Sequence, residues 1–328
     1  MKKSTLAYVI DQWSVVPPVE TADLSGKTVL VVGANVGIGL EASKHFARMR
    51  SARLIIACRS EAKGKVALGE IGQEIGYNGC ELWTVDLANF ASKEGGDLLI
   101  LVMNAAIALP DYQSTADGWE TILQVNYLAT SLLSSLLIPQ LVSAGRKSLT
   151  PSRMVIVSSG VLYWLTPAKE IKTSSTLETL SGAFPMFNFF FVRALTSRLQ
   201  SVTPLTSVAV TPGFCYSQLR RAWYEKPTFS FVKIALAIQE RLLAWTAEQG
   251  SRQLVFGAVG GRDDEENMKG GFVSRGRLVE VAGFVLSDEG DEMQDTVWKE
   301  TIDILTGVSD KIGPIVQDYL IVSDSFIN

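Results

Sequence analysis

The chain has 328 residues, of which 47% are hydrophobic and 20% are charged. It is therefore long enough to bury a large core without stabilisation by disulfide bonds or a structural metal. Its 30 basic and 34 acidic residues give a net charge of -4. Because the Lys and Arg residues are scattered, the sequence lacks the basic surface typical of nucleic-acid-binding proteins.

Few residue types suited to metal or triad chemistry are present. Cys58, Cys80 and Cys215 are odd in number and far apart, which argues against a disulfide framework or a cysteine metal site. This cysteine use favours a reducing, cytoplasmic location. The single histidine, His45, has small or apolar neighbours and is interpreted as a helix residue. One histidine also disfavours a zinc site and a Ser-His-Asp triad.

Residues 1–25 are interpreted as an N-terminal arm. The arm begins with two lysines but reaches Asp11 before a long apolar run forms, which is a poor signal-peptide pattern. The most apolar segments, 128–142 and 183–195, are too short or too interrupted for a stable membrane span. The mean hydropathy of +0.20 is compatible with a large core, a lipophilic substrate or contact with a membrane.

From residue 26 onward, apolar β-branched runs alternate with helical patterns. The runs predict strands at 27–34, 53–59, 81–87, 98–106, 153–160 and 206–213. The clearest helical patterns lie near 117–142 and 183–199. This alternation predicts an α/β fold with a doubly wound, Rossmann-like parallel sheet in a single domain over 26–328.

The segments after the last predicted strand are expected to surround that sheet. Residues 214–250 are predicted to form a substrate lid over the carboxyl ends of the strands. Residues 260–271 are interpreted as a charged loop, and 286–322 as one or two terminal helices. One earlier crossover, 87–98, is close to the minimum length for joining parallel strands, so a full helix hardly fits there.

A glycine-rich turn follows the first predicted strand in the sequence "GANVGIG". Gly33, Gly37 and Gly39, with Ile38 between the last two, stand where a strand ends and a helix begins. Glycine lets the backbone approach a pyrophosphate closely, and the helix N-terminus presents N–H groups to its charge. The order G-x-x-x-G-x-G differs from the usual fingerprint, but its context predicts dinucleotide binding.

The end of the second predicted strand indicates which dinucleotide is bound. Arg59 stands where an acidic residue would hold the ribose 2′-hydroxyl of NAD, and an arginine there suits the 2′-phosphate of NADP(H). Ser60 and Lys63 are candidates for further contacts. The alternative is an ordinary surface arginine.

With these motifs the chain resembles the short-chain dehydrogenases/reductases, in particular their retinol-dehydrogenase-like and fungal branches, over about 25–300. The resemblance implies that Asp86 and Leu87 contact the adenine, and that Asn104 lies beside the cofactor. Pro212, Gly213 and Ser217 would then lie on its nicotinamide side.

The resemblance also implies catalytic roles. Asn126 corresponds to the asparagine of a proton relay, and Ser159, with Ser158 beside it, to the serine that polarises the substrate oxygen. The family's tyrosine, the general acid or base, and its lysine four residues later are replaced. The register set by Asn188 puts Ser181 and Pro185 at those positions.

One other tyrosine follows Ser159 closely. Tyr163 could form a rearranged site with Lys169 or Lys172, although packing beside Trp164 is the simpler interpretation. Aromatic residues also occupy the predicted lid and suit either an apolar substrate pocket or ordinary packing: Phe214, Tyr216, Trp223, Tyr224 and Phe229.

Three interpretations follow. The first is an NADP(H)-dependent oxidoreductase of specialised metabolism that acts on a lipophilic alcohol or ketone. The sequence also allows this protein to be a homo-oligomer. The second is a non-redox protein that binds NADP(H), either a pseudoenzyme or an isomerase or cyclase. The third is that coding segments are missing near 87–98 and 173–185.

Overall fold

The computed structural model describes residues 4–87, 97–148, 150–165, 176–179, 181–200, 203–220, 224 and 230–320. Several sequence-based predictions therefore lie outside the described residues. They concern most of the short crossover at 87–98, residues 173–175 and 180 of the segment 173–185, and the residues Lys169, Lys172, Trp223 and Phe229.

Eight strands form one sheet in this part of the chain. They are β1 (Thr28–Val32), β2 (Arg53–Cys58), β3 (Cys80–Thr84), β4 (Ile100–Met103), β5 (Ser152–Val157), β6 (Leu205–Val210), β7 (Phe272–Ser274) and β8 (Arg277–Leu278). The strand order is β3-β2-β1-β4-β5-β6-β7-β8. All neighbours pair in parallel except β7 and β8, which are antiparallel. The predicted doubly wound α/β fold is confirmed.

Ten helices of eight or more residues surround the sheet within the described ranges. They are α1 (Thr5–Trp13), α2 (Gly37–Arg48), α3 (Glu61–Ile75), α4 (Thr121–Leu136), α5 (Ile138–Lys147), α6 (Phe184–Arg198), α7 (Ser230–Leu243), α8 (Ala247–Val259), α9 (Asp288–Val308) and α10 (Ile312–Tyr319).

The sheet separates two hydrophobic cores. Successive residues of a strand point to opposite faces, and β1 shows this directly. Val29 belongs to the core that includes Phe46 of α2, whereas Leu30 belongs to the core that includes Phe187 of α6. Burial on both faces explains why the strands appear in the sequence as continuous apolar runs.

The long helix predicted near 117–142 is interrupted twice. Residues Gln124–Leu128 form a π-helical turn inside α4. A second break falls at Leu137, where α4 and α5 meet at 46°. Pro139 lies in the first turn of α5, and a proline disfavours helix at the residue before it, which accounts for this second break.

The charged segment 260–271 contains more structure than the predicted loop. It holds a 3₁₀ turn followed by the short helix Glu265–Met268. Glu265 binds the guanidinium of Arg153, which is fully buried on β5, through bonds of 2.8 and 2.7 Å. The same guanidinium donates to the carbonyl oxygens of Gly257 and Gly260. Pairing of a buried cation therefore fixes this segment against the sheet.

No single helix in the ranges described is long and apolar enough to cross a membrane. The bent pair of α4 and α5 together satisfies the length and composition of a span, but most residues of α4 and half of those of α5 are buried within the protein.

Candidate cofactor and catalytic site

The glycine turn between β1 and α2 has the shape that the sequence predicts. Gly33 and Gly37 both have left-handed backbone conformations, with φ of 82° and 63°. A Cβ atom at Gly33 would lie 2.6 Å from the Cα of Ala105, and one at Gly39 would collide with the carbonyl of Gly33. A Cβ at Gly37 would meet nothing within 4 Å. Two glycines thus allow close internal packing, and the third borders open space.

The first turn of α2 faces that space without a protein cap. Its N-cap residue is Val36, whose side chain accepts no hydrogen bond, and the first turn contains no acidic residue. The N–H groups and the positive end of the helix dipole therefore suit an anion such as a pyrophosphate. Ile38 is half-buried and packs with Val16, Cys215 and Trp245.

Asn104 connects the glycine turn to the end of β4. Its side-chain Nδ2 donates to the carbonyl of Gly33 at 3.0 Å, and its backbone N–H donates to the carbonyl of Val32. The predicted cofactor residue thus stabilises the loop that would surround a dinucleotide.

Arg59 directly follows β2, at the same edge of the sheet. Its side chain is exposed and, within the described residues, makes no ion pair. Lys63 is also exposed, and its backbone N–H donates to the Ser60 hydroxyl at the start of α3. The nearest acid along the chain, Glu61, pairs with Lys65 at 2.7 Å. Arg59 is therefore available to an anion.

The two predicted adenine contacts lie beyond β3. Asp86 is exposed, and Leu87 packs partly against the core. The backbone N–H of Val85 donates to the carbonyl of Cys58, so this segment continues along β2 toward the position of Arg59.

Asn126 lies in the π-helical turn and is buried. Its side-chain amide donates to the carbonyl of Ile107 and accepts from the N–H of the same residue, both at 2.8 Å. The amide of Asn188 donates to the backbone carbonyl of Asn126 at 3.2 Å and to that of Val157 at 3.0 Å. Both the side chain and the carbonyl of Asn126 are thus held by protein groups.

The two serines after β5 differ in environment. Ser158 is buried, and its hydroxyl donates to the carbonyl of Pro185 at 2.6 Å. Ser159 is half-buried, and its Oγ accepts from the N–H of Val161 at 3.3 Å, which caps a 3₁₀ turn. This cap leaves the hydroxyl proton of Ser159 available for a substrate oxygen.

The positions of the missing catalytic pair lie at the start of α6. Ser181 begins a 3₁₀ turn, and α6 begins at Phe184 with Pro185 in its first turn. A proline is tolerated there because the first N–H groups of a helix have no intrahelical partner. The helix predicted near 183–199 is confirmed, and it begins at Phe184.

The side chain of Tyr163 is hydrogen-bonded and packed within the protein. Its hydroxyl donates to the carbonyl of Glu280 at 2.5 Å, and its ring packs edge-on against Phe272. Burial, with the nearby charges of Asp11 and Glu280, raises the pKa of Tyr163 to about 12. Its predicted catalytic role stays a prediction, and these contacts favour a structural role.

The segment after β6 is held by the N-terminal arm. Gly213 has a φ of 80°, and a Cβ there would lie 2.5 Å from the ring of Trp245. Gln12 donates to the carbonyl oxygens of Phe214 and Leu243 at 3.0 and 2.9 Å. The indole N–H of Trp245 in turn donates to the carbonyl of Gln12 at 2.7 Å.

The remaining residues of this segment are more open. The carbonyl of Pro212 accepts a hydrogen bond from the Cys215 thiol, and Ser217 accepts from the N–H of Leu219 at 3.4 Å. Tyr216 is 44% exposed. Sequence reasoning missed Gln12, because no local pattern distinguishes a polar residue whose partners lie more than 200 positions away.

Comparison with known proteins agrees with this geometry. The family model described as short chain dehydrogenase matches residues 27–161. The short chain dehydrogenase sol3 of Alternaria solani is 34% identical over 262 residues, which cover 74% of this chain and 88% of that protein. The short-chain dehydrogenase/reductase dmxR8 of Cryptosporiopsis sp. is 31% identical and covers 89% of this chain and 94% of its own.

Solved structures show the same fold at lower identity. The short chain dehydrogenase from Shigella flexneri has a TM-score of 0.55 and 20% identity, covering 80% of this chain and 98% of that one. A variant of actinorhodin polyketide ketoreductase with NADPH has a TM-score of 0.51 and 18% identity, with coverage of 74% and 94%. With its fungal relatives, the chain belongs to the short-chain dehydrogenase/reductase family of oxidoreductases.

Proposed function

We propose that the protein is an NADP(H)-dependent oxidoreductase that acts on a lipophilic alcohol or ketone. The observation that carries the proposal is the exposed guanidinium of Arg59 at the end of β2, which makes no ion pair with the described residues and follows a strand that pairs in parallel with the strand before α2. An arginine at this position suits a 2′-phosphate. NADPH in the related ketoreductase structure agrees with this choice of cofactor.

The residues present fit this cofactor. Gly33, Gly37, Ile38 and Gly39 would surround the pyrophosphate, because Gly37 borders open space. Arg59 and Lys63 would bind the 2′-phosphate, and Asp86 and Leu87 would contact the adenine. On the nicotinamide side the protein would use Asn104, Pro212, Gly213 and Ser217. When bound, NADP(H) supplies or accepts the hydride.

Ser159 is the group that would orient the substrate. Its hydroxyl proton is not required by the cap that it forms with Val161, so it can donate to a carbonyl oxygen. Phe214 and Tyr216 would line an apolar pocket, which favours a lipophilic substrate. Specialised metabolism, a cytoplasmic location and a homo-oligomer remain predictions that accompany this proposal.

A second candidate function is binding of NADP(H) without efficient hydride transfer. Pro185 stands where the family's lysine is expected and carries no charge. The groups that could pass a proton are engaged internally: Asn126 with Ile107 and Asn188, and Ser158 with Pro185. A serine at 181 has too high a pKa to replace a tyrosine acid near neutral pH.

Two measurements on the full chain separate these functions. Calorimetric titration with NADPH and NADH tests the cofactor, and we expect tighter binding of NADPH. Stopped-flow oxidation of bound NADPH with a panel of lipophilic ketones tests the reaction. Binding with turnover supports the oxidoreductase, binding without turnover supports the second candidate, and no binding of either cofactor contradicts both.

A further inference from the structure

The N-terminal arm is fixed to the protein by groups from three separate segments. Asp11 pairs at 2.7 Å with Arg275, in the turn between β7 and β8, and both side chains are less than a quarter exposed. Further along the arm, Arg252 of α8 donates to the backbone carbonyl of Pro17 at 3.0 Å. Between these two anchors, Gln12 is buried and bonds to the segment after β6. The arm is therefore part of the folded structure, although it precedes the first strand.

Gln12 and Trp245 together hold the segment after β6. The side-chain amide of Gln12 donates to the carbonyl of Phe214 at 3.0 Å, and its oxygen accepts from the N–H of the same residue at 3.3 Å. The indole of Trp245 donates to the backbone carbonyl of Gln12 at 2.7 Å. The backbone of Trp245 also bonds to Phe214 and Tyr216, at 2.8 and 2.9 Å. Residues 214–216 are thus fixed from two directions.

The same group of residues touches the glycine turn of the candidate cofactor site. Val16 of the arm, Cys215 and Trp245 form a small separate core, and Ile38 of the glycine turn packs against it. A Cβ atom on Gly250 of α8 would lie 2.5 Å from the sulfur of Cys215 and 3.5 Å from Ile38, so the packing here is tight. We give this group the name arm junction, and its members are Gln12, Val16, Cys215 and Trp245.

We propose that the arm junction positions the nicotinamide half of the cofactor site. The inference rests on the proposed binding of NADP(H), and it gives a role to a segment outside residues 27–161, which the family model matches. Gln12 would act through Phe214, next to Gly213, and Trp245 would act through Ile38. Both are positioning residues, since neither is expected to touch the cofactor. A segment that is already held in place does not have to be ordered on binding, and this raises affinity.

The first test compares two ligands by calorimetric titration of the full chain. We expect Gln12→Ala to weaken binding of NADPH ~10-fold, within the ~5–150-fold range typical of coupling between sites. Binding of adenosine 2′,5′-bisphosphate should stay unchanged, because this probe carries the adenine and the 2′-phosphate but no nicotinamide. A general loss of structure would weaken both ligands, so the difference between them separates positioning from stability.

The matched control is Tyr77→Phe. The hydroxyl of Tyr77, like the amide of Gln12, reaches two backbone carbonyls, those of Ser51 and Gly79 at 2.7 and 3.1 Å. Ser51 and Gly79 precede β2 and β3, so these contacts lie at the amino ends of the strands, opposite the candidate cofactor site. Tyr77→Phe should therefore lower stability to a similar degree and leave both affinities unchanged.

A second measurement uses the unmodified protein. Coupling is reciprocal, so if release of the arm weakens NADPH binding ~10-fold, saturating NADPH must make release of the arm ~10-fold rarer. Hydrogen exchange of the α1 amides reports this release, because α1 lies outside the expected cofactor contacts. Exchange across α1 should slow ~10-fold with NADPH and stay unchanged with adenosine 2′,5′-bisphosphate.

The outcomes distinguish this inference from the proposed function. If the unmodified chain does not bind NADPH, both are overturned. If it binds NADPH but Gln12→Ala weakens the two ligands equally, or weakens neither, the inference alone is overturned. Exchange across α1 that NADPH does not slow also overturns the inference alone. This exchange measurement decides the question if Gln12→Ala fails to fold.

Discussion

The hydroxyl of Ser158 donates a hydrogen bond of 2.6 Å to the backbone carbonyl of Pro185. This bond joins the end of β5 to the first turn of α6, at the position that the family resemblance assigns to a lysine. Because the acceptor is a backbone atom, the contact does not depend on the side chain at 185. The local backbone can therefore keep its shape when the proline is replaced.

We predict that the unmodified chain reduces lipophilic ketones slowly, and that Ser181→Tyr with Pro185→Lys raises the rate. General acid–base help is typically worth a factor of ~10²–10⁴. Ser181 and Pro185 stand at the two positions where the family resemblance implies a tyrosine and a lysine for this role. Single-turnover oxidation of NADPH measures the rate, with Pro185→Ala as the control. Turnover by the unmodified chain at roughly 1–10³ per second would falsify this prediction.

We predict that Arg59→Ala weakens binding of NADPH by ~10–100-fold and leaves NADH binding unchanged, since a charge-assisted bond to the 2′-phosphate is lost. Calorimetric titration measures both affinities. The control is Arg146→Ala, an exposed arginine at the end of α5. A preference for NADH in the unmodified chain, or equal losses for the two cofactors, contradicts the assignment of Arg59.

We predict that Tyr163→Phe lowers the free energy of unfolding by about 1 kcal/mol and leaves the rate of NADPH oxidation unchanged. The variant removes the bond to the carbonyl of Glu280, and a buried hydroxyl with a pKa of about 12 is poorly suited to release a proton near neutral pH. Urea unfolding and stopped-flow kinetics measure the two quantities. A large loss of rate with little loss of stability would identify Tyr163 as the acid.

We predict that Gln12→Ala lowers the free energy of unfolding by ~1–3 kcal/mol, because the partly buried backbone carbonyls of Phe214 and Leu243 lose their donor. Urea titration measures the change. Gln239→Ala, at an exposed position of α7, is the control and should change stability by less than ~0.5 kcal/mol. Similar effects of the two variants would mean that the arm contributes little to stability.

We predict that the pairing of Glu265 with Arg153 makes stability sensitive to acid. Burial raises the pKa of Glu265, but its interactions with Arg153, Thr206 and Arg262 together outweigh burial and hold this pKa below its ordinary value. The stabilisation is therefore present above the ordinary carboxyl range and is lost as the pH falls through the lowered pKa.

Unfolding measured from pH 7 into acid tests that prediction. In Glu265→Gln the acid-dependent loss should shrink, while stability at pH 7 falls by ~3–5 kcal/mol because Arg153 stays buried without its counter-charge. Glu266→Gln removes an exposed pair with Lys269 and serves as the control. An unchanged pH profile in Glu265→Gln would contradict the predicted role.

The parts of the fold that follow from local pattern were predictable. Apolar runs identify β1, β2, β4, β5 and β6, because strands buried on both faces need mostly apolar residues, whereas the edge strand β3 is only partly buried. The pattern fails for β7 and β8, which have three and two residues and are too short to show a period. The helix at Glu265–Met268 was also missed, since it depends on pairing with Arg153, far away along the chain.

The candidate site, like the fold, was predictable from the sequence only where local pattern determines the structure. Gly33, Gly37 and Gly39 could be recognised in the sequence, because a left-handed backbone conformation or a close backbone contact requires glycine at each of these positions. The bonds of Gln12 and of Ser158 are not visible, because they depend on backbone atoms that the fold brings together. Because every residue has a backbone carbonyl, no sequence motif indicates which carbonyl accepts such a bond.

The π-helical turn at Gln124–Leu128 has an evolutionary consequence. Such a turn accommodates one residue more than an α-helical turn, as if one codon had been inserted into a regular helix. Because the wide turn takes up the extra residue, the helical turns on either side keep their register, and removal of one residue would leave a regular helix with the same core-facing residues. The residues that would change orientation are those of the wide turn itself, Asn126 among them. Loss of one residue here should therefore break the bonds between Asn126 and Ile107 and spare the packing of α4.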